Sequence, residues 1–337
     1  MTAEEFKELM NSWVYQKKGT INKYNEKTHP GTQPIRVNNN MLVMMFGHSY
    51  PGFLTELKKQ IEEGKLNPKI DFVFAEEAIR HDTGFHTPRV AKESRMIQLH
   101  ETFLSYLWCI TYAIYILYLE TVDYPAMNKI AGYEKYPVSE SNIAKARALF
   151  DYGKSLIAFY SGWDKEQLPN PEIYLAEERN YPEQTSLFYT DAVKFILSHE
   201  YTHLKLHIDQ IDENTPESYY QAFEYEADNA AIKNSLKGAT KDSIYAVSGG
   251  IIIGILSMFF FKATTSGEKH PDAEDRLTNA LEQLPDVDNE LSWGFACMGL
   301  ELWDEQFGHH FEKLGGELSK KELYFHYIKQ IKSRKQP

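Results

Sequence analysis

Two cysteines, Cys109 and Cys297, in 337 residues are too few for a disulfide framework or a thiolate zinc cage. Their scarcity fits a reducing compartment, with both thiols as small buried hydrophobes. Basic residues are also in deficit: 36 Lys and Arg stand against 48 Asp and Glu, for a formal charge of -12 and a sequence pI of about 5.5. That balance disfavours nucleic acid as the partner and leaves a protein or small molecule. The opening MTAEEFKELMNSW places acids where a signal peptide carries basic residues, so export is not expected and a cytoplasmic location is. Long apolar runs are scarce as well. FLSYLWCITYAIYILYL (103–119) and IYAVSGGIIIGILSMFFF (244–261) fall at the short end of a membrane span, and mean hydropathy is -0.49. Both are expected to be buried core helices, with no membrane partner. Internal repeats and low-complexity tails are absent.

What is present is 42% hydrophobic content, enough for a substantial core in one large or two medium domains. Residues 1–98 mix an amphipathic opening helix, a Gly/Pro/Asn-rich connection and the β-like runs IRVNNNMLVMMF and KIDFVFAE, which predicts a small α+β region. Residues 99–337 turn helical. SNIAKARALFDYGKSLIAFY has Ser141 as a candidate cap and Ile143, Ala146, Leu149, Phe150 and Ile157 near helical spacing. A loop with Pro169, Pro171 and Pro182 follows, and the next helix is expected to start near Thr185 or Ser186. YYQAFEYEADNAAIKNSL predicts a further helix, ended by Gly238.

The chemistry concentrates in SHEYTHLKLHID, residues 198–209. His199-Glu200-Tyr201-Thr202-His203 is an H-E-x-x-H on a predicted helix, and a spacing of four puts both imidazoles on one face, where they can share a zinc ion. Glu200 then points to the open side of the metal, placed to take a proton from water and pass it to a leaving amine. Lys205 is a departure, since zinc helices of this kind often carry an apolar residue there. A third ligand is still needed. His207 lies eight residues past His199, roughly 12 Å along the axis, and is assigned to the helix surface or a hydrogen bond. Asp209 completes an H-E-x-x-H-x-x-x-x-x-D spacing, yet Leu206 stands where a turn back to the metal would need glycine. Glu224 is preferred: it lies on its own helix, with Asp228 four positions on to accept a ligand histidine's ring N–H. Glu213, Glu217 and Glu226 compete as carboxylates, none with an aspartate at that offset. Finally, KHPDAEDRL supplies His270, a candidate donor to the oxyanion if the chain folds back over the cleft, and Arg276.

With H-E-x-x-H followed by E-x-x-x-D, the chain resembles the gluzincin metallopeptidases. HEYTHLKLH, EYEAD and HPDAEDR also resemble, in order, motifs of the CAAX-prenyl and heat-shock zinc endopeptidases, which are built around transmembrane helices. In length and layout it is more similar to the bacterial phage-exclusion (Lit) peptidase family, from FLSYLWCITYAIYILY through LPNPEIY to SHEYTHLKLH and EYEADNAA, roughly residues 100–235. That resemblance implies a cytoplasmic zinc endopeptidase, silent until a phage-derived activator signals infection, that then cuts elongation factor Tu. His199, His203 and Glu224 match its zinc-binding pattern and Glu200 its catalytic glutamate.

The expectation is therefore a mainly helical α+β protein of the zincin type. Residues 1–98 would serve substrate or trigger recognition, and 99–337 would form the catalytic domain acting on a protein or peptide. The alternatives are a regulatory metallopeptidase acting on a repressor or toxin–antitoxin partner, and a non-enzymatic zinc-binding interaction protein.

Overall fold

The computed structural model describes residues 19–25, 31, 33–75, 85–130, 132, 135–211, 215–267, 269–285, 289–312 and 318–335; the helix expected at the start of the chain lies outside them. Strand β1 (Thr20–Asn22) comes first. The run expected to be a strand, IRVNNNMLVMMF, is instead a 3-10 turn (Pro34–Asn38) leading into helix α1 (Asn39–Gly47). The reason is visible in its burial: Leu42 and Phe46, four apart, face the core while Val43 between them is exposed, which is helical and not alternating periodicity. Helix α2 (Phe53–Glu62) follows, and KIDFVFAE does contain a strand, β2 (Asp71–Val73).

Strands β3 (Arg89–Ala91) and β4 (Met96–His100) complete a sheet of order β2-β4-β3, parallel between β2 and β4 and antiparallel between β3 and β4. β4 runs directly into helix α3 (Glu101–Tyr118), whose first residue is 2% exposed and is held by Arg36 and by the Ala75 N–H at 2.9 Å. That buried pair fastens the N-terminal segment to the main helical body. With no Gly or Pro in its length, α3 is buried nearly all round and forms the centre of the core.

Helix α4 (Glu140–Ala158) packs along α3. Its N-cap is Ser139, which accepts from the Asn142 N–H at 3.2 Å, so Ser141 lies inside the helix and does not cap it. Strand β5 (Ile173–Leu175) pairs antiparallel with β1, Ile21 opposite Tyr174. Helix α5 (Asn180–Thr202) starts earlier than expected, because Pro182 sits in its first turn, where a missing N–H costs nothing.

Helices α6 (Glu217–Lys237), α7 (Ile244–Leu256), α8 (Ala273–Gln283), α9 (Asn289–Phe307) and α10 (Lys320–Arg334) finish the fold, and Gly238 follows α6 as expected. α7 lies tightly on α5 because it presents glycine to it. A Cβ at Gly250 would stand 2.6 Å from the Cβ of Asp191, and one at Gly249 would stand 2.7 Å from the Phe188 ring. The architecture is mainly helical with small sheets. Segments 101–127 and 244–261 are long and apolar enough to cross a membrane, yet 89% and 78% of their most apolar windows are buried inside the fold.

Candidate metal centre

The end of α5 and the residue that follows it carry the H-E-x-x-H, and the neighbouring elements fix its direction. On one side α7 supports it through the glycine contacts. On the other, Phe46 and Phe53 of the α1–α2 hairpin meet the Tyr201 ring edge-on. Glu56 of α2 accepts from Tyr201 Oη at 2.9 Å and Lys205 Nζ at 2.7 Å. Lys205, at a position expected to be apolar, thus has an acidic partner in the N-terminal segment.

One helical turn separates His199 from His203, whose Nε2 atoms face one another at 3.0 Å. Glu224, reaching in from α6, places Oε2 3.4 Å from His199 Nε2 and Oε1 3.2 Å from His203 Nε2. One ligand atom from each of the three lies within 4.8 Å of the others, so the set could hold a metal ion. The outer nitrogens are engaged. His199 Nδ1 donates to Asp228 Oδ1 at 2.9 Å, and His203 Nδ1 lies 3.0 Å from His207 Nδ1. With protons on those outer atoms, both inner nitrogens turn bare lone pairs toward one point beside a carboxylate. Such an arrangement repels itself unless a cation lies within it, and a two-imidazole, one-carboxylate set suits a zinc-like divalent ion.

The ionisation of the cluster makes the same demand. Burial opposes charging the His199 ring, but its hydrogen bonds and proximity to Asp228 and Glu224 outweigh that and raise its pKa to about 10 when protons are the only cations present. Burial would likewise raise the Glu224 pKa, yet His199, His203 and Arg276 hold it well below the usual carboxylate range. Glu200 moves the other way. Burial raises its pKa against the opposing pull of the two histidines, and its carboxylate accepts no hydrogen bond from any described residue.

Arg276, 5% exposed, is the residue whose part was not foreseen. It donates from Nε and Nη2 to Asp228 Oδ2 and Oδ1 at 2.6 and 2.8 Å, and its Nη1 lies 3.6 Å from Glu224 Oε2. His207 also departs from expectation: it is not at the helix surface but 1% exposed, so of its two expected placements only the hydrogen bond is found. The loop before α8 folds back to bring the largely exposed His270, through Nε2, within 3.5 Å of Glu224 Oε1. Asp209 does not join the cluster, because its exposed carboxylate pairs with Arg95 at 2.6 and 3.2 Å. Glu226 meets His207, Glu217 is the first residue of α6, and Glu213 lies outside the described residues.

A cleft of about 830 Å³ opens beside these groups. His199, Glu200, Glu224, His270 and Arg276 line one part of it, and Phe103, Phe195, Ile196, Met258, Phe259 and Phe261 make an apolar wall. Thr87 and Pro88, just before β3, line it too.

Among known families, the model described as Peptidase U49 matches residues 97–296, more than half of the chain. No curated protein and no solved structure matches.

Proposed function

The chain belongs to the Peptidase U49 family, and on that premise we propose that it is a zinc-dependent endopeptidase of the gluzincin type. The observation that carries the reading is the convergence of His199, His203 and Glu224 donor atoms within 4.8 Å, next to the Glu200 carboxylate in a peptide-sized cleft. These three residues would hold the ion. When bound, zinc supplies Lewis acidity, polarising the scissile carbonyl and making water easier to deprotonate.

The remaining steps belong to the chain's own side chains. Glu200, its basicity raised by burial, takes the proton as the water oxygen attacks the carbonyl carbon, then delivers it to the amine nitrogen as the C–N bond breaks. His270, at the cleft, donates to the oxyanion. Asp228, clamped by Arg276, holds the His199 ring with Nε2 turned inward. The substrate backbone adds to the outer edge of β3, which is unpaired among the described residues and follows Thr87 and Pro88 of the cleft wall, and a bulky apolar side chain fills the phenylalanine-lined part.

On the resemblance to the phage-exclusion peptidases, the physiological substrate is elongation factor Tu, cut in the cytoplasm once a phage-derived activator is present. Residues 1–98 serve substrate or trigger recognition for the catalytic domain, 99–337. The test is to incubate the zinc-supplemented chain, and its Glu200→Gln variant, with purified elongation factor Tu and with a proteome-derived peptide library, then identify new termini by mass spectrometry. Cleavage by the wild type and none by Glu200→Gln is expected. Equal product from both contradicts the peptidase mechanism, as does no product from any substrate by a zinc-loaded wild type even with an extract of phage-infected cells added.

A further inference from the structure

Resting on the metal site just proposed, we infer that His207 and Glu226 form a positioning relay that sets the tautomer and orientation of His203. The inference begins with a local break in helix geometry. After Thr202 the chain leaves the α-helix for a π turn, His203–His207, closed by the Ile208 N–H donating to the His203 carbonyl at 2.9 Å. That wider turn carries a third imidazole behind the first two. His207 is 1% exposed, its ring stacks on Phe223 at 4.4 Å and 17°, and its Nδ1 lies 3.0 Å from His203 Nδ1.

With an ion held at His203 Nε2, one proton arrangement satisfies the other three ring nitrogens. His203 must keep Nε2 bare to share an ion with His199 and Glu224, so its proton sits on Nδ1 and is donated to His207 Nδ1. His207 then carries its own proton on Nε2, which faces Glu226 Oε2 at 3.2 Å. The chain of donors runs His203 to His207 to Glu226 and ends on a carboxylate. It mirrors the His199 side, where Nδ1 donates directly to Asp228. Each ligand histidine therefore has a carboxylate behind it, one in direct contact and one through an intervening ring. A histidine kept only to fill space would need neither the aligned nitrogens nor the acidic end.

The relay is tested by zinc affinity, measured by competition with a chromogenic chelator on the full-length chain in a Glu200→Gln background. His207→Phe keeps the stack on Phe223 but removes the acceptor, and should weaken zinc binding roughly 10- to 100-fold. His207→Asn, whose Oδ1 occupies the place of Nδ1, should recover most of that affinity. Long-range nitrogen NMR of labelled histidine should show His203 protonated at Nδ1 in the zinc-loaded parent. A folded His207→Phe that binds zinc as tightly as the parent overturns the relay while leaving the metal site standing. Absence of zinc binding in the parent removes both. If His207→Phe does not fold, the exposed Glu226→Ala, which removes the terminal acceptor, decides: weaker zinc binding supports the relay, and unchanged affinity overturns it.

Discussion

Arg276 Nε sits 2.6 Å from Asp228 Oδ2, with both side chains almost wholly buried and Asp228 in turn holding His199 at 2.9 Å. Removing one member of a buried ion pair leaves an uncompensated charge, so Arg276→Leu should destabilise the metal-free protein by about 3–5 kcal/mol. Denaturant titration checks this, and a change under about 0.5 kcal/mol would be that of an ordinary surface substitution.

Asp228→Asn separates support of the site from support of the fold. The amide keeps the volume of the carboxylate but not its charge behind His199, so zinc affinity should fall roughly 10- to 100-fold while far-ultraviolet circular dichroism stays unchanged. Parent-like affinity would show that the negative charge behind His199 does not tune the site.

His100 governs part of the acid sensitivity. It is 5% exposed, and neither ring nitrogen has a hydrogen-bond partner among the described residues. Burial first, then the neighbouring His86 and Arg89, push its pKa from 6.5 down to about 4. A histidine neutral in the fold and titrating near 6.5 when unfolded lends full stability above pH 6.5 and loses it as pH falls toward 4, about 3 kcal/mol in all. Stability measured across that window should fall less steeply in His100→Gln. Identical slopes would mean that His100 protonates equally in both states.

Gly250→Ala tests how α7 places the H-E-x-x-H helix. The new methyl would meet the Asp191 Cβ at 2.6 Å and the Ala192 backbone nitrogen at 2.8 Å, and backbone cannot rotate away. A cost of about 1–3 kcal/mol is expected, with weaker zinc retention. Full stability by thermal unfolding would show that the helices separate without penalty.

Ile196→Trp addresses the apolar wall of the cleft, three residues before His199 on α5. Filling that space should lower kcat/KM for substrates with bulky apolar residues at the cut by about tenfold or more, with zinc content unchanged. A product profile and rate like the parent's would remove the wall from substrate recognition.

Some of this was legible in the sequence because it is local. A spacing of four places His199 beside His203, and the Glu224–Asp228 offset places a carboxylate and its partner on one face of another helix. The misread parts had other causes. IRVNNNMLVMMF looked strand-like by composition, although Leu42 and Phe46 already carried the helical period. Pro182 looked like a loop residue until placed in the first turn of α5. The surface placement of His207 follows from a straight helix axis, whereas its burial comes with the π turn and with Phe223 and Glu226 of another helix. The Arg276 clamp and the order of the three-stranded sheet join residues far apart in the chain, which no local pattern encodes.

The most direct measurement is zinc per chain by elemental analysis of purified wild type and Glu224→Ala after equilibration with zinc and removal of the excess. The three-ligand centre predicts one zinc in the wild type and much less in the folded variant. One zinc in both would remove Glu224 from the ligand set, and none in the wild type would contradict the zinc peptidase itself.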